Sequence, residues 1–285
     1  MAIKRKDIIV KTFAKQTGPV LAGVVRERTM KDVLAQIRNY EVHGANAIDL
    51  HLSSLNDELK NVESIKKIVN ATKLPILSMN YNMNYDLGGY VTDEEERVGL
   101  MLKAVEAGTA AIDIQGYTFD YFSHTNFRKE YDHLGYSFIK GNPREVVVDE
   151  IIIQKQMDLI DRVHTMGAEV LLSCHPRIPM NTEQVVDLAL FLEKRKPDVI
   201  KIVTMCTNEE ELAEAFKTMI TLKKEVKTNV SFHCAGQAGR LTRVMNPVLG
   251  GYIAFCVDKY GINTDVEQLN LGIARDMIDK LNRIK

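Results

Sequence analysis

Residues 168–206 read AEVLLSCHPRIPMNTEQVVDLALFLEKRKPDVIKIVTMC, and this stretch decides the fold. The β-branched and apolar run from Val170 to Cys174 has the length of a buried strand. A polar turn follows, then apolar residues at helical spacing from about Thr182 to Lys194, then a second apolar run from Val199 to Thr204. A strand, a helix and a strand in that order form a right-handed crossover with parallel strands side by side. His175 directly follows the first strand, and Lys201 sits inside the second, in VIKIV. A lysine within one parallel strand and a histidine at the tip of its neighbour can face one cavity. A buried lysine is unfavourable as a cation, so its free amine becomes a nucleophile toward carbonyls. An imidazole beside it can move the protons that such chemistry needs.

Outward from this unit the same rhythm continues. The spacing predicts strands over 20–25, 46–52, 74–80, 110–116, 169–174, 199–204, 229–234 and 250–256. Helices are predicted over 30–43, 57–71, from Asp93 to about 107, and over 146–166, 182–194, 208–225, 239–246 and about 265–284. Eight strands each followed by a helix is the count of a (β/α)8 barrel, which needs ~250 residues as one domain. A doubly wound sheet would carry a glycine-rich turn after its first strand, where Val24-Val25-Arg26-Glu27-Arg28 offers none. The whole chain, 1–285, is therefore read as a single barrel domain. Residues 1–18 are basic and short and suit a strand or an arm covering one end. Residues 117–145 are long for a strand-to-helix connection and rich in aromatic residues. They read as a lid over the site, or as a surface excursion or subunit contact.

Composition excludes several classes. Lys plus Arg is 37 against 38 for Asp plus Glu, so no strong field draws the chain to nucleic acid or to a membrane surface. No apolar run approaches the ~20 residues of a membrane span, and the first residues lack an apolar signal core, which points to the cytoplasm. Cys174, Cys206, Cys234 and Cys256 show no paired spacing and read as small apolar residues of a reduced protein; no metal site is expected.

Barrel sites lie at the C-terminal ends of the strands. Those ends carry Arg26 and Arg28, then Asp49 and His51, Asn80, Asp113 and Gln115, His175, Lys201 and His233, with Arg240 and Arg243 on the next helix. SCHPRIP, IKIVTM, FHCAGQAGRLTR and GGYIAFC, in this order, resemble the type I 3-dehydroquinate dehydratases, (β/α)8 lyases of the shikimate pathway. The likeness is specific over 168–256 and loose before it. It implies that Lys201 forms an imine with a keto substrate and that His175 shuttles protons. It implies further that Arg243 binds the substrate carboxylate, that no cofactor is needed beyond the covalent imine, and that the protein is a homodimer.

The family pattern is not matched everywhere. Its Glu–x–Arg pair on the second strand reads Asp49 and His51 here, and the arginine ending the third strand reads Asn80. The glutamate before paired glycines is replaced by Asp86 and Leu87, and the aspartate after the histidine by Pro176. Gln268 can occupy the place of a glutamine near the family's C-terminal end. Asp49, His51, Asn80, Asp86, Gln115 and Gln268 are thus candidate substrate contacts in an altered pocket. Asp49, His51 and Gln115 also suit a structural hydrogen-bond network at the barrel mouth. Two other readings remain: a Schiff-base lyase or aldolase acting on a different hydroxy-ketone, and a catalytically silent binding barrel.

Overall fold

A computed structural model of the chain describes residues 11–81, 83–84, 89–90, 93–120, 138–139, 142–143, 146–176, 178–260 and 268–283. Asp86 and most of the 117–145 stretch lie outside the described residues. Strands and helices alternate as β1 (Val20–Val25), α1 (Met30–Val42), β2 (Ala47–His51), α2 (Val62–Asn70), β3 (Ile76–Met79), α3 (Glu94–Ala107) and β4 (Ala111–Gln115). They continue as α4 (Glu150–Thr165), β5 (Glu169–Cys174), α5 (Thr182–Glu193), β6 (Val199–Met205), α6 (Glu209–Glu225), β7 (Asn229–Ala235), α7 (Arg240–Val248) and β8 (Ile253–Val257). A two-residue strand, β9 (Leu269–Asn270), precedes α8 (Leu271–Asn282). The fold is an α/β barrel of the expected (β/α)8 kind.

Ladders run in parallel from β7 through β6, β5, β4, β3, β2 and β1 to β8, with β9 beyond. The pairing of Val20 with Ile253 and of Ala22 with Phe255 brings the first strand back to the last. Alternation along each strand then divides the side chains. Ile48, Leu50, Ile112, Ile200 and Ile202 face outward and pack with the helices. Val20, Leu77, Leu171, Val199 and Ile253 face inward and form an apolar floor around Phe13.

That floor is sealed by the arm at residues 11–18. Phe13 is fully buried. The backbone N–H groups of Phe13 and Ala14 donate to Glu169 Oε2 at 2.6 and 2.7 Å, and Tyr252 donates its hydroxyl to the Phe13 carbonyl at 2.7 Å. The described part of the arm therefore covers one end, as its position suggested.

Four expected boundaries shift by three residues or more, each for a local reason; the largest is the helix expected from about 265, which starts at Leu271, where Asn270 accepts from the Ile273 N–H. The helix expected over 57–71 starts only at Val62, because Asn61 caps it by accepting from the Ser64 N–H; 57–59 is a single 3-10 turn. The helix expected from 146 starts at Glu150, where Asp149 accepts from the N–H groups of Ile151 and Ile152. The strand expected from 250 starts at Ile253, because Gly250 turns the chain at φ 106°.

Among the described residues no ladder joins β7 to β8. One backbone hydrogen bond crosses the seam, from the Tyr252 N–H to the Val230 carbonyl at 2.9 Å, and side chains reinforce it. Asn246, from α7, accepts from the Phe232 N–H at 3.0 Å and donates to the Ile253 carbonyl at 2.9 Å. Ser231 donates to the same carbonyl at 2.7 Å. Gly251 permits this arrangement, since a Cβ there would sit 1.8 Å from Asn246 Oδ1. Gly251→Ala is expected to displace the amide and lower stability by about 1–3 kcal/mol. Chemical denaturation checks this, and a midpoint equal to the parent's would show that the bridge does not hold the wall.

Candidate active site

Above the apolar floor the inward positions turn polar. The register pairs Ser173 with Lys201 and Lys201 with Ser231, so the long lysine side chain has a small neighbour on each side. Lys201 is 7% exposed. Its Nζ lies 4.5 Å from the centroid of the Phe255 ring and 3.5 Å from the Tyr81 hydroxyl. That hydroxyl is 3.2 Å from His175 Nε2. His175 follows β5 directly and is half-buried. The lysine and histidine read from 168–206 thus meet at one mouth, joined by a tyrosine that the sequence reading did not single out. Tyr81 lies two residues past the end of β3, where strand alternation no longer assigns a face. The ring of Tyr81 also stands edge-on to His51, with centroids 6.2 Å apart.

The inner wall holds two carboxyl groups and two further imidazoles. Asp113 is fully buried and accepts from Ser173 Oγ at 2.6 Å. Burial pushes its acid up to about 6, against the opposing pull of Lys201 and the Ser173 hydrogen bond. Asp49 and His51 meet at 3.3 Å, Oδ2 to Nε2. Burial lowers the basicity of His51, with Asp49 opposing and Arg26 and Lys201 adding to the shift. His233 is held well below the ordinary histidine range by burial first, then by the charges of Arg243 and Lys201. Both imidazoles are therefore neutral near pH 7. Asp49 Oδ1 and Asp113 Oδ2 are buried acceptors with no hydrogen-bond partner among the described residues. A ligand carrying hydroxyl donors satisfies such atoms.

A second cluster stands behind this wall and is organised by Arg97, a buried guanidinium on α3. It donates to Glu94 at 2.6 and 2.8 Å, to the Asn80 carbonyl at 2.7 Å, to Thr118 Oγ1 at 2.9 Å, and to Gln115 Oε1. Asn80 returns a hydrogen bond to the Arg97 carbonyl at 3.2 Å, and Gln115 Nε2 donates to the Asp113 carbonyl at 3.1 Å. The amides of Asn80 and Gln115 are thus engaged in a network that fixes the ends of β3 and β4. The sequence signal for Arg97 was its place three residues after Glu94 on one helix face, within a run read only as a helix start.

Arg243 lies on α7, close enough for its charge to act on His233. Gln268 is 8% exposed and immediately precedes the pairing of Leu269 with Cys256. Its carbonyl accepts from the Tyr260 hydroxyl at 3.0 Å. The four cysteines are free and buried. Among the described residues no group of three or more His, Cys, Asp or Glu side chains is placed to hold a metal ion.

Comparison with known proteins converges on one family. The model of the type I 3-dehydroquinase family matches residues 22–281. A bifunctional chloroplastic 3-dehydroquinate dehydratase/shikimate dehydrogenase of Arabidopsis thaliana is 25% identical over 258 residues, covering 90% of this chain and 35% of that protein. A 3-dehydroquinate dehydratase of Coxiella burnetii is 29% identical over 96 residues, or 33% of this chain and 40% of that one. The matches thus span less than half the length of either relative. Among solved structures, the type I 3-dehydroquinate dehydratase of Clostridium difficile, covalently modified with comenic acid, superposes with a TM-score of 0.73 over 95% of both chains at 12% identity. The enzyme of Geobacillus kaustophilus gives 0.70 over 94% of this chain and 92% of that one at 13% identity. At such identities these two structures speak for the fold.

The raised acid of Asp113 has a consequence for stability. A folded-state value of about 6, above the ordinary 3.8, means that the folded protein holds this proton more tightly than the unfolded chain. The associated stability is present below the unfolded value and is lost as pH rises through about 6, amounting to about 3 kcal/mol. Asp113→Asn is expected to lack this slope, so its stability relative to the parent improves between pH 4 and pH 7. Denaturation midpoints of both proteins at the two pH values check it; parallel profiles would contradict it.

Proposed function

The chain belongs to the type I 3-dehydroquinase family, and on that premise we propose that it is a hydro-lyase converting 3-dehydroquinate to 3-dehydroshikimate and water through an imine on Lys201. The observation that carries this reading is the Lys201 amine, enclosed in the barrel wall yet joined through the Tyr81 hydroxyl to His175.

The Lys201 amine adds to the ketone carbon to give a carbinolamine, which loses water to become an iminium ion. The cationic nitrogen draws electrons and acidifies the adjacent C–H bond. His175 takes that proton, leaving an enamine. The enamine expels the β-hydroxyl, which leaves as water with a proton returned by His175. Water then adds to the conjugated iminium and releases the enone and the free lysine. The iminium is the electron sink, so the sequence of steps needs no metal. Arg243 supports a carboxylate by two parallel N–H bonds. The unpartnered oxygens of Asp49 and Asp113 suit the substrate's hydroxyl groups, with His51 oriented by Asp49. Asp86, outside the described residues, and Gln268 complete the set of substrate contacts in this reading.

A second reading, a Schiff-base lyase or aldolase on another hydroxy-ketone, draws on the altered pocket. His51 is neutral where the family pattern has arginine, and the Asn80 amide is bound to the Arg97 carbonyl. Both readings extend to a homodimer working in the cytoplasm, with 117–145 as a lid. No helix among the described residues is long and apolar enough to cross a membrane.

Two measurements separate the readings. Borohydride reduction in the presence of 3-dehydroquinate is expected to leave a mass increase on Lys201 that Lys201→Ala lacks. Ultraviolet absorbance is expected to report the conjugated product. A Lys201 adduct formed only with some other ketone, with no turnover of 3-dehydroquinate, would retire the dehydratase in favour of the second reading. His175→Ala is expected to slow turnover by at least about 100-fold while still allowing adduct to accumulate.

A further inference from the structure

We propose that Tyr81 is a third catalytic group, whose hydroxyl passes a proton between Lys201 and His175. The inference rests on the imine reading above and adds to it the route by which the lysine loses and regains its proton. Lys201 Nζ lies 3.5 Å from the Tyr81 oxygen, and that oxygen lies 3.2 Å from His175 Nε2. A hydroxyl both donates and accepts, so it can serve the two nitrogens at once. The first contact is long, as catalytic hydrogen bonds often are before substrate binds.

The step balances without any other reactant. As the ammonium of Lys201 gives a proton to the phenol oxygen, the phenol gives its own proton to His175 Nε2. The tyrosine ends unchanged, the lysine is a free amine and the histidine is an imidazolium. After the amine has added to the ketone, the relay runs in reverse. The imidazolium returns a proton through Tyr81 to the carbinolamine hydroxyl, the C–O bond breaks, and water leaves. His175 is then neutral and ready to take the α-proton.

Tyr81 is positioned for this work from both sides. The preceding residue, Asn80, is tied to Arg97 through its carbonyl at 2.7 Å and its amide at 3.2 Å. The phenol ring stands edge-on between two imidazoles, with centroids 5.7 Å from His175 and 6.2 Å from His51. The sequence places no carboxylate directly after His175, where Pro176 stands. The tyrosine hydroxyl gives the imidazole a partner that is also in reach of the nucleophile.

Tyr81→Phe removes the hydroxyl and keeps the ring. The rate of adduct formation on Lys201, read by borohydride quenching, is expected to fall by roughly 100-fold, with kcat falling in step and KM little changed. The solvent deuterium isotope effect on adduct formation is expected to be large in the parent and much reduced in Tyr81→Phe. A loss of packing alone would not produce that change. Thermal melting of Tyr81→Phe confirms that the comparison is between folded proteins. A Tyr81→Phe protein that forms adduct at the parent's rate with the parent's isotope effect overturns the relay and leaves the imine reading standing. If 3-dehydroquinate gives no adduct in the parent, the dehydratase reading falls, and the same comparison is made with whichever ketone does label Lys201. If no ketone labels it, the relay falls as well.

Discussion

A parallel ladder cannot slip by one residue without exchanging its inward and outward faces. The site follows from that constraint. Ile200 and Ile202 are fully buried beneath the helices, so the residue between them must point inward. Pairing with Ser173 and Ser231 then gives Lys201 room on both sides. The same register stacks a polar layer of Asp49, Asp113, Ser173, Lys201 and Ser231 on an apolar one. Taken alone the upper layer is unfavourable, because it keeps one oxygen of Asp49 and one of Asp113 away from water with no partner among the described residues. The floor and the outer belt supply the compensating burial.

Much of this was legible in the chain. Alternation and length identified the eight barrel strands, and the β5–α5–β6 stretch named both Lys201 and His175. What was hidden depends on contacts between residues far apart. Arg97 meets Asn80, Gln115 and Thr118 only after α3 packs on the barrel, and its spacing from Glu94 in EEER announces an ion pair on one helix face but not its burial. Tyr81 lies beyond β3, where neither period constrains it. Helix starts failed where a strong cap sat a few residues inside an already suitable stretch, as at Asn61 and Asp149.

The pocket differs from the family pattern in the kind of force it applies. The pattern has guanidinium groups on the second and third strands. Here the second strand carries a neutral imidazole oriented by a carboxylate. A guanidinium does reach the end of the third strand, but it comes from α3, behind the wall, and is neutralised by Glu94. Its charge acts as a fastening for Asn80 and Gln115. That side of the mouth is thereby built from short directional hydrogen bonds, which depend on geometry more than on net charge.

The arm that fills the floor ties together distant parts of the chain. With Phe13 seated in the base and Glu169 accepting from its N–H and from that of Ala14, the described part of the N-terminal arm is pinned to the fifth strand. The two ends of the barrel are thereby unlike: one is a plug of packed carbon, and the other carries the polar layer. Prising the plug loose would wet the base of the barrel and cost the apolar burial on which that layer stands.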